Sequence, residues 1–290
     1  MTTQTILPVD SEQLRTLSGQ KNEPTWLTDS RVQALELAGR LGLPVYEKTK
    51  IERWELSAYG QHQPVQQLSS LEEAPAAIAE LLGEQQEGGL VIQRNSGAVF
   101  SKLSPELAAK GVIFTDLETA AREHSDLVQK YLHTAVKADE SSVAALHAAL
   151  WNGGVFLYVP KNIEIEEPLQ AVFLTDDASA AFVPHVLVIV ESNSSVNYVD
   201  NYVSSELSAP MFHNGVVEVF AEAGAKVRYA SVHQFEKLAT DISNRRAVLG
   251  NDASIEWIVG ELNDGNTASN TMTILRGNGS TSDAKIIAVG

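Results

Sequence analysis

The chain of 290 residues contains no cysteine. That excludes disulfides, thiolate metal ligands and a thiolate nucleophile. No apolar run reaches the ~18 residues expected of a membrane span. The opening MTTQTILPVD has neither a basic stretch nor an apolar core, so no secretory signal is expected, and the sequons at Asn193 and Asn278 are chance matches. Basic residues are scarce, with 21 Lys and Arg against 37 Asp and Glu and a formal net charge of -16. Such a surface repels phosphates, which argues against nucleic acid and anionic membranes as partners. No phosphate loop of the GxxxxGK[ST] kind is present, so ATP is not bound by that route. The expected compartment is the cytoplasm.

What is present is a globular core, with 44% hydrophobic and 20% charged residues. Organisation changes near residue 150. Before it, residues 10 to 20 and 27 to 41 read as helices, the second with Thr28, Asp29 and Ser30 as candidate caps and an apolar stripe of Val32, Leu35, Leu37, Ala38 and Leu41. A third helix is expected over 71 to 82, with acids in its first turn. "GLVIQ", "GAVFSKL" and "GVIFTDL" read as short strands set off by glycine. Residues 116 to 150 are helix-rich, with a break at "KADES". The expectation is a helical, mixed α+β domain over residues 1–150.

After residue 150 the helical period disappears and a repeat replaces it. "VESNSSVNYV" from Val190, "FAEAGAKVRYA" from Phe220 and "LGNDASIEWI" from Leu249 share one pattern. An apolar residue and a polar turn lead into an aliphatic residue and, two positions on, an aromatic one. Val196, Val227 and Ile255 align, as do Tyr198, Tyr229 and Trp257, at a spacing of roughly thirty residues; Leu275 opens a looser fourth copy. A strand-turn-strand unit of that length cannot bury its apolar face alone, whereas stacked coils bury a continuous core. A β-solenoid over residues 151–290 is therefore expected, with a β-sandwich of coincidental spacing as the alternative. "LWNGGVFLYVPKNIEIEEPLQAVF", residues 150 to 173, reads as its first coils. The chain ends on the apolar "AKIIAVG" with no capping element. The expectation is a solenoid truncated inside the array, which self-associates as a homodimer through residues 270 to 290 or frays there.

Residues that could carry chemistry are few. The histidines, at 62, 124, 133, 147, 185, 213 and 233, show no metal-ligand spacing, and each reads as a surface or packed residue; His213 and His233, beside repeat strands, are the most suggestive. Glu164 and Glu166 share a strand face opposite Ile163 and Ile165 and read as solvated. Asp176 and Asp177 fall in a turn, and the turn Gly277-Asn278-Gly279 lies between strands, a poor phosphate cradle. Trp26, Trp54, Trp151 and Trp257 read as core or interface anchors. No catalytic residue and no metal ligand is expected, and the cofactor-binding residues are not assignable. The residues support a binding or assembly protein over an enzyme.

Several segments resemble the SufB/SufD family of iron–sulfur cluster assembly proteins. "NEPTWLTDSRVQALELAGRLGLPVYEKTKIERWEL", residues 22 to 56, is similar to the family's N-terminal helical segment, and its ending is nearer SufD than SufB. "GVFLYVP" resembles the opening of the family's β-helix core, and "HNGVVEVFAEAGAKVRYASVHQF" and "RRAVLGNDASIEWIVGEL" continue it. The resemblance implies a right-handed parallel β-helix and a scaffold role beside a SufB-like subunit and a SufC-like ATPase, in support of cluster assembly and iron acquisition. It places the SufC-binding helices and the cluster interface toward the family's C-terminus, beyond Gly290, so this fragment would hold no cofactor and the full complex would carry the cluster transiently. Two other readings remain. A carbohydrate-active solenoid would need carboxylates clustered on one face over several coils and a secretory signal; a purely structural solenoid would need neither.

Overall fold

The computed structural model describes residues 7–82 and 88–289. The helices are α1 (Ser11–Gln20), α2 (Thr25–Ala38), α3 (Ala76–Ala79), α4 (Pro105–Ala109), α5 (Leu117–Glu123), α6 (Ser125–Tyr131) and α7 (Ser142–Leu150). Asp10 and Gln13 cap α1 reciprocally, side chain to backbone, at 2.8 and 2.9 Å. Two expectations need correction. α2 starts at Thr25 behind Pro24 and has no side-chain cap, so Thr28, Asp29 and Ser30 lie inside the helix. The helix expected over 71 to 82 is a single 3-10 turn, Leu71–Glu73, followed by the four residues of α3. Pro75 separates them: it forces the preceding residue out of helical geometry and supplies no N–H.

The strands form two sheets. β1 (Gly89–Arg94), β2 (Gly97–Leu103), β5 (Leu169–Thr175), β7 (Ser195–Ser204), β9 (Lys226–Gln234), β11 (Ser254–Glu261) and β13 (Thr281–Ala288) make the first. β3 (Ile113–Thr115), β4 (Val155–Val159), β6 (His185–Val190), β8 (Met211–Ala221), β10 (Ala239–Leu249) and β12 (Asn266–Leu275) make the second. From β4 onward successive strands alternate between the sheets, and each pairs in parallel with the strand two places on. That is a parallel β-solenoid, as the repeat implied. Val196 sits beside Val227 and Val227 beside Ile255; Tyr198, Tyr229 and Trp257 are matched in the same way. All six are buried in one core between the sheets. The two hairpin strands β1 and β2 extend the first sheet, with β1 parallel to β5.

One corner of every coil repeats a single backbone demand. Asn162, Asn193, Gly224, Asp252 and Gly279 all have positive φ, between 53° and 71°. Only glycine enters that region without steric cost, and Asn and Asp tolerate it best among the rest. The amide of Asn193 donates to Ala223 O, that of Gly224 to Asn251 O and that of Asp252 to Asn278 O, so each corner is tied to the next coil. This explains why every copy of the repeat carries Asn, Gly or Asp before its aliphatic residue.

The outer face of the second sheet is covered by helices. Phe156, Leu187, Ile189 and Phe220 pack with Leu27 and Leu35 of α2 and Val143 and Leu146 of α7. A smaller cluster of Ile78, Leu90, Ile92, Val99 and Val172 covers the beginning of the first sheet. Its later coils face solvent and carry ion pairs, Arg228 with Glu256 and Lys285 with both Glu256 and Asp283. No helix of the described residues is long and apolar enough to cross a membrane.

The Trp-Asn-Gly-Gly turn joins the two layers. Gly154 has φ +84°, and a Cβ there would lie 1.9 Å from the carbonyl oxygen of His185. Gly154→Ala is expected to cost about 2–3 kcal/mol from backbone strain and displaced packing. Urea unfolding checks this; an unchanged midpoint would show that the backbone there is free to move.

Candidate functional site

Strand alternation decides which polar residues enter the solenoid. In β8 the odd-numbered residues point inward, so His213 shares the interior with Met211, Val217 and Val219. The same parity sends Asp241, Ser243 and Arg245 of β10 inward, along with His233 of β9 and Glu261 of β11. Parallel register then stacks them: His213 lies beside Asp241, and Tyr202, His233 and Glu261 form a column across three coils.

Asp241 is the centre of this cluster. Its Oδ1 accepts from His213 Nδ1 at 2.8 Å and from Ser243 Oγ at 2.6 Å, while its Oδ2 accepts from His233 Nδ1 at 2.8 Å and from Asn263 Nδ2 at 3.0 Å. Arg245, 1% exposed, donates to Glu261 Oε1 at 2.8 Å, to Ser269 Oγ at 2.7 Å and to His233 Nε2 at 2.6 Å. A guanidinium only donates, so His233 Nε2 must accept, and this imidazole is neutral with its proton on Nδ1. His213 Nε2 has no partner. Its ring occupies space that only a glycine at 215 leaves open, since a Cβ there would lie 2.6 Å from Cε1.

The charges are tuned by this arrangement. Burial disfavours an ionised Asp241, but His233 and His213 outweigh it and hold the carboxyl well below its ordinary range. Burial pushes His213 down, with Asp241 opposing. Burial also acts against charged Arg245, yet Glu261 and Asp241 keep it raised. Two coils away, burial raises the Asp200 carboxyl, which accepts the phenol of Tyr229. Ser243 donates to the carboxylate and not to an imidazole, so this is not the geometry of an activated nucleophile. It is a polar network enclosed in an apolar solenoid, and it fixes the register of three coils.

The other residues named from sequence are dispersed. His62 is half-buried in a cleft of about 270 Å³ against Leu17, Lys21 and Tyr59, and burial brings it down to about 4. His124 joins α5 to α6 and stacks on Phe156. His133, His147 and His185 lie together on the outer side of the second sheet. Glu164 and Glu166 are exposed and Ile165 is buried, but the expected strand is not formed: they lie in the connection between β4 and β5, where Glu164 makes one isolated bridge to Ser195. Asp176 pairs with Arg94 at 2.7 Å, and Asp177 accepts from the Ser179 amide in its turn. Gly277 and Gly279 belong to the turn between β12 and β13. Trp151 and Trp257 are core residues, the former beneath the Arg31 guanidinium at 4.3 Å. Trp26 donates to Ser125 Oγ at 2.7 Å and, like Trp54, is packed at the edge of the helical layer.

Comparison with known proteins agrees with this architecture. Residues 173–290 match the family "SUF system FeS cluster assembly, SufBD core domain", and residues 89–171 match "SufBD protein N-terminal region". The chain belongs to the SufBD family. This SufBD chain is 43% identical over its whole length to the iron–sulfur cluster assembly protein SufD of Bacillus subtilis (strain 168), of which it covers 67%. It is 29% identical, over 95% of its length, to iron–sulfur cluster assembly SufBD family proteins of Staphylococcus aureus strains USA300 and NCTC 8325. It spans 61% of the length of those staphylococcal proteins. The core match begins within β5, and so contains every inward polar residue described above.

Proposed function

We propose that the protein is a SufD-like scaffold subunit of the SUF machinery, acting in the cytoplasm beside a SufB-like subunit and a SufC-like ATPase. The iron–sulfur cluster is cargo of the assembled complex, and ATP hydrolysis belongs to the ATPase. The observation that carries this reading is the 43% identity to a SufD protein along the whole chain. The fold is compatible with it: a solenoid presents long, rigid faces for partners. The carbohydrate-active alternative gains nothing from the face on which Glu164, Glu166, Glu256 and Asp283 lie, because Arg228 and Lys285 pair with the later two. Purification of the natively expressed, N-terminally tagged protein from its own cells tests the proposal. The SufB-like and SufC-like proteins are expected in the eluate in stoichiometric amounts. Recovery of neither would overturn it.

A further inference from the structure

A second cluster of imidazoles lies outside the solenoid, between its second sheet and the helical layer. Alternation sends His185 of β6 and Glu218 of β8 to the outer face, opposite to His213. His147 of α7 and His133, just after α6, meet them there. Both Glu218 and His185 are 0% exposed, and His133 is partly buried with its Nε2 enclosed.

Glu218 is held with great care. Oε2 accepts the backbone amide of His133 at 2.7 Å, and Oε1 accepts those of Ala135 and Val136 at 2.7 and 2.9 Å. The chain at 132–136 is wrapped around the carboxylate, with His133 in the left-handed region at φ 56°. Backbone donors converging in this way suit an anion.

The imidazoles are oriented by a relay. His147 Nδ1 lies 2.8 Å from the carbonyl of Asn214, which can only accept, so Nδ1 carries the proton. Burial keeps the His147 ring neutral, so its Nε2 accepts from His185 Nδ1 at 2.9 Å. The other nitrogen of His185, Nε2, lies 3.2 Å from Glu218 Oε2 but is not aligned for a hydrogen bond. His133 Nε2 also lacks a partner. Two imidazole nitrogens and a carboxylate oxygen therefore lie within 4.8 Å of one another. Left alone, two buried ring nitrogens without hydrogen-bond partners face a carboxylate, a costly arrangement.

We propose that His133, His185 and Glu218 bind a divalent first-row transition-metal ion of the zinc and iron(II) class. Two imidazoles and one carboxylate are the donors such ions take in three-ligand sites with open coordination positions. The His185–His147–Asn214 relay is the outer hydrogen-bonding that fixes the ligating nitrogen of a metal-bound histidine. The interior group His213, His233 and Asp241 is equally compact but different in kind. There the Arg245 guanidinium already occupies His233 Nε2 and adds positive charge at the place a cation would need. The proposal does not depend on the scaffold role.

Titration of the chelator-stripped protein with Co2+, followed by visible absorption and calorimetry, tests the site. One ion per chain is expected. His133→Asn retains a residue that tolerates the left-handed backbone while removing the imidazole, and should bind at least ~10-fold more weakly. Absence of binding to the wild-type protein, or equal binding by H133N, would overturn the assignment. Should H133N fail to fold, X-ray absorption of the zinc-loaded wild-type protein decides. Two imidazoles and a carboxylate oxygen support the site, and any other ligand set rejects it.

Discussion

Replacing Asp241 by alanine is expected to lower the unfolding free energy by about 3–5 kcal/mol, the range for removing one member of a buried charged group and leaving the others. Four donors end on this carboxylate, from His213, His233, Ser243 and Asn263. In D241A each is stranded inside the solenoid, where water cannot replace the lost acceptor. Arg245 also loses one of its neighbouring carboxylates. Asp241→Asn should cost nearly as much, because it brings an NH2 donor to a place already supplied only with donors. Urea denaturation of both variants measures this. A loss below about 1 kcal/mol in D241A would mean that the network contributes only what an ordinary hydrogen bond does.

The same cluster makes the stability of the fold depend on acid. His213 is pushed down by burial, so the unfolded chain takes up its proton first. Stability is therefore full above ~6.5, the unfolded histidine value, and falls as pH drops from there toward the folded value, by up to about 1.4 kcal/mol per pH unit. Asp241 is held well below its ordinary range, so its contribution is present above ~3.9 and is lost as pH falls through the folded value. D241A should keep the first limb and flatten the second.

The solenoid is legible in the sequence because its demands are local and recur. Every coil needs a residue that accepts positive φ, then an aliphatic and an aromatic residue two apart, and Asn193-Ser-Ser-Val-Asn-Tyr supplies them in order. α1 is legible for a similar reason, since Asp10 and Gln13 cap it within four residues. The third helix fails at Pro75, whose restriction on its predecessor outweighs the apolar spacing around it. The interior cluster was missed because polar residues on alternate strand positions resemble a solvated face. Yet the coil register already held the signal. Extended past Tyr198 and Tyr229, the same alignment stacks Tyr202 on His233 and His233 on Glu261. Titratable residues falling on the aliphatic side of the repeat are inward by that rule. The outer cluster has no such signal, since His133 and His147 come from helical segments whose docking on the sheet no spacing encodes.

Trp257→Ala is expected to cost about 3–5 kcal/mol, as large aromatic truncations in a core do, but the loss should be uneven along the chain. Trp257 is fully buried, packs against Tyr229 with centroids 5.1 Å apart and rings tilted by 50°, and donates from Nε1 to Thr273 Oγ1 at 3.0 Å. Tyr229 packs in turn against Tyr198 at 5.0 Å, again tilted, and Tyr198 meets Phe114 edge-on at 6.3 Å. This column runs through the solenoid interior at right angles to the strands. A coil touches only the coils beside it, so a cavity in one coil weakens its neighbours most. Amide exchange in W257A should accelerate first in β10 through β13, while β4 and β6, which α7 and the rest of the helical layer cover, retain wild-type protection. Trp257→Phe keeps a ring on Tyr229 and loses the bond to Thr273, and should recover more than half of the loss. Uniform acceleration across all coils would show that the chain unfolds as one unit, and that the aromatic column transmits the damage instead of confining it.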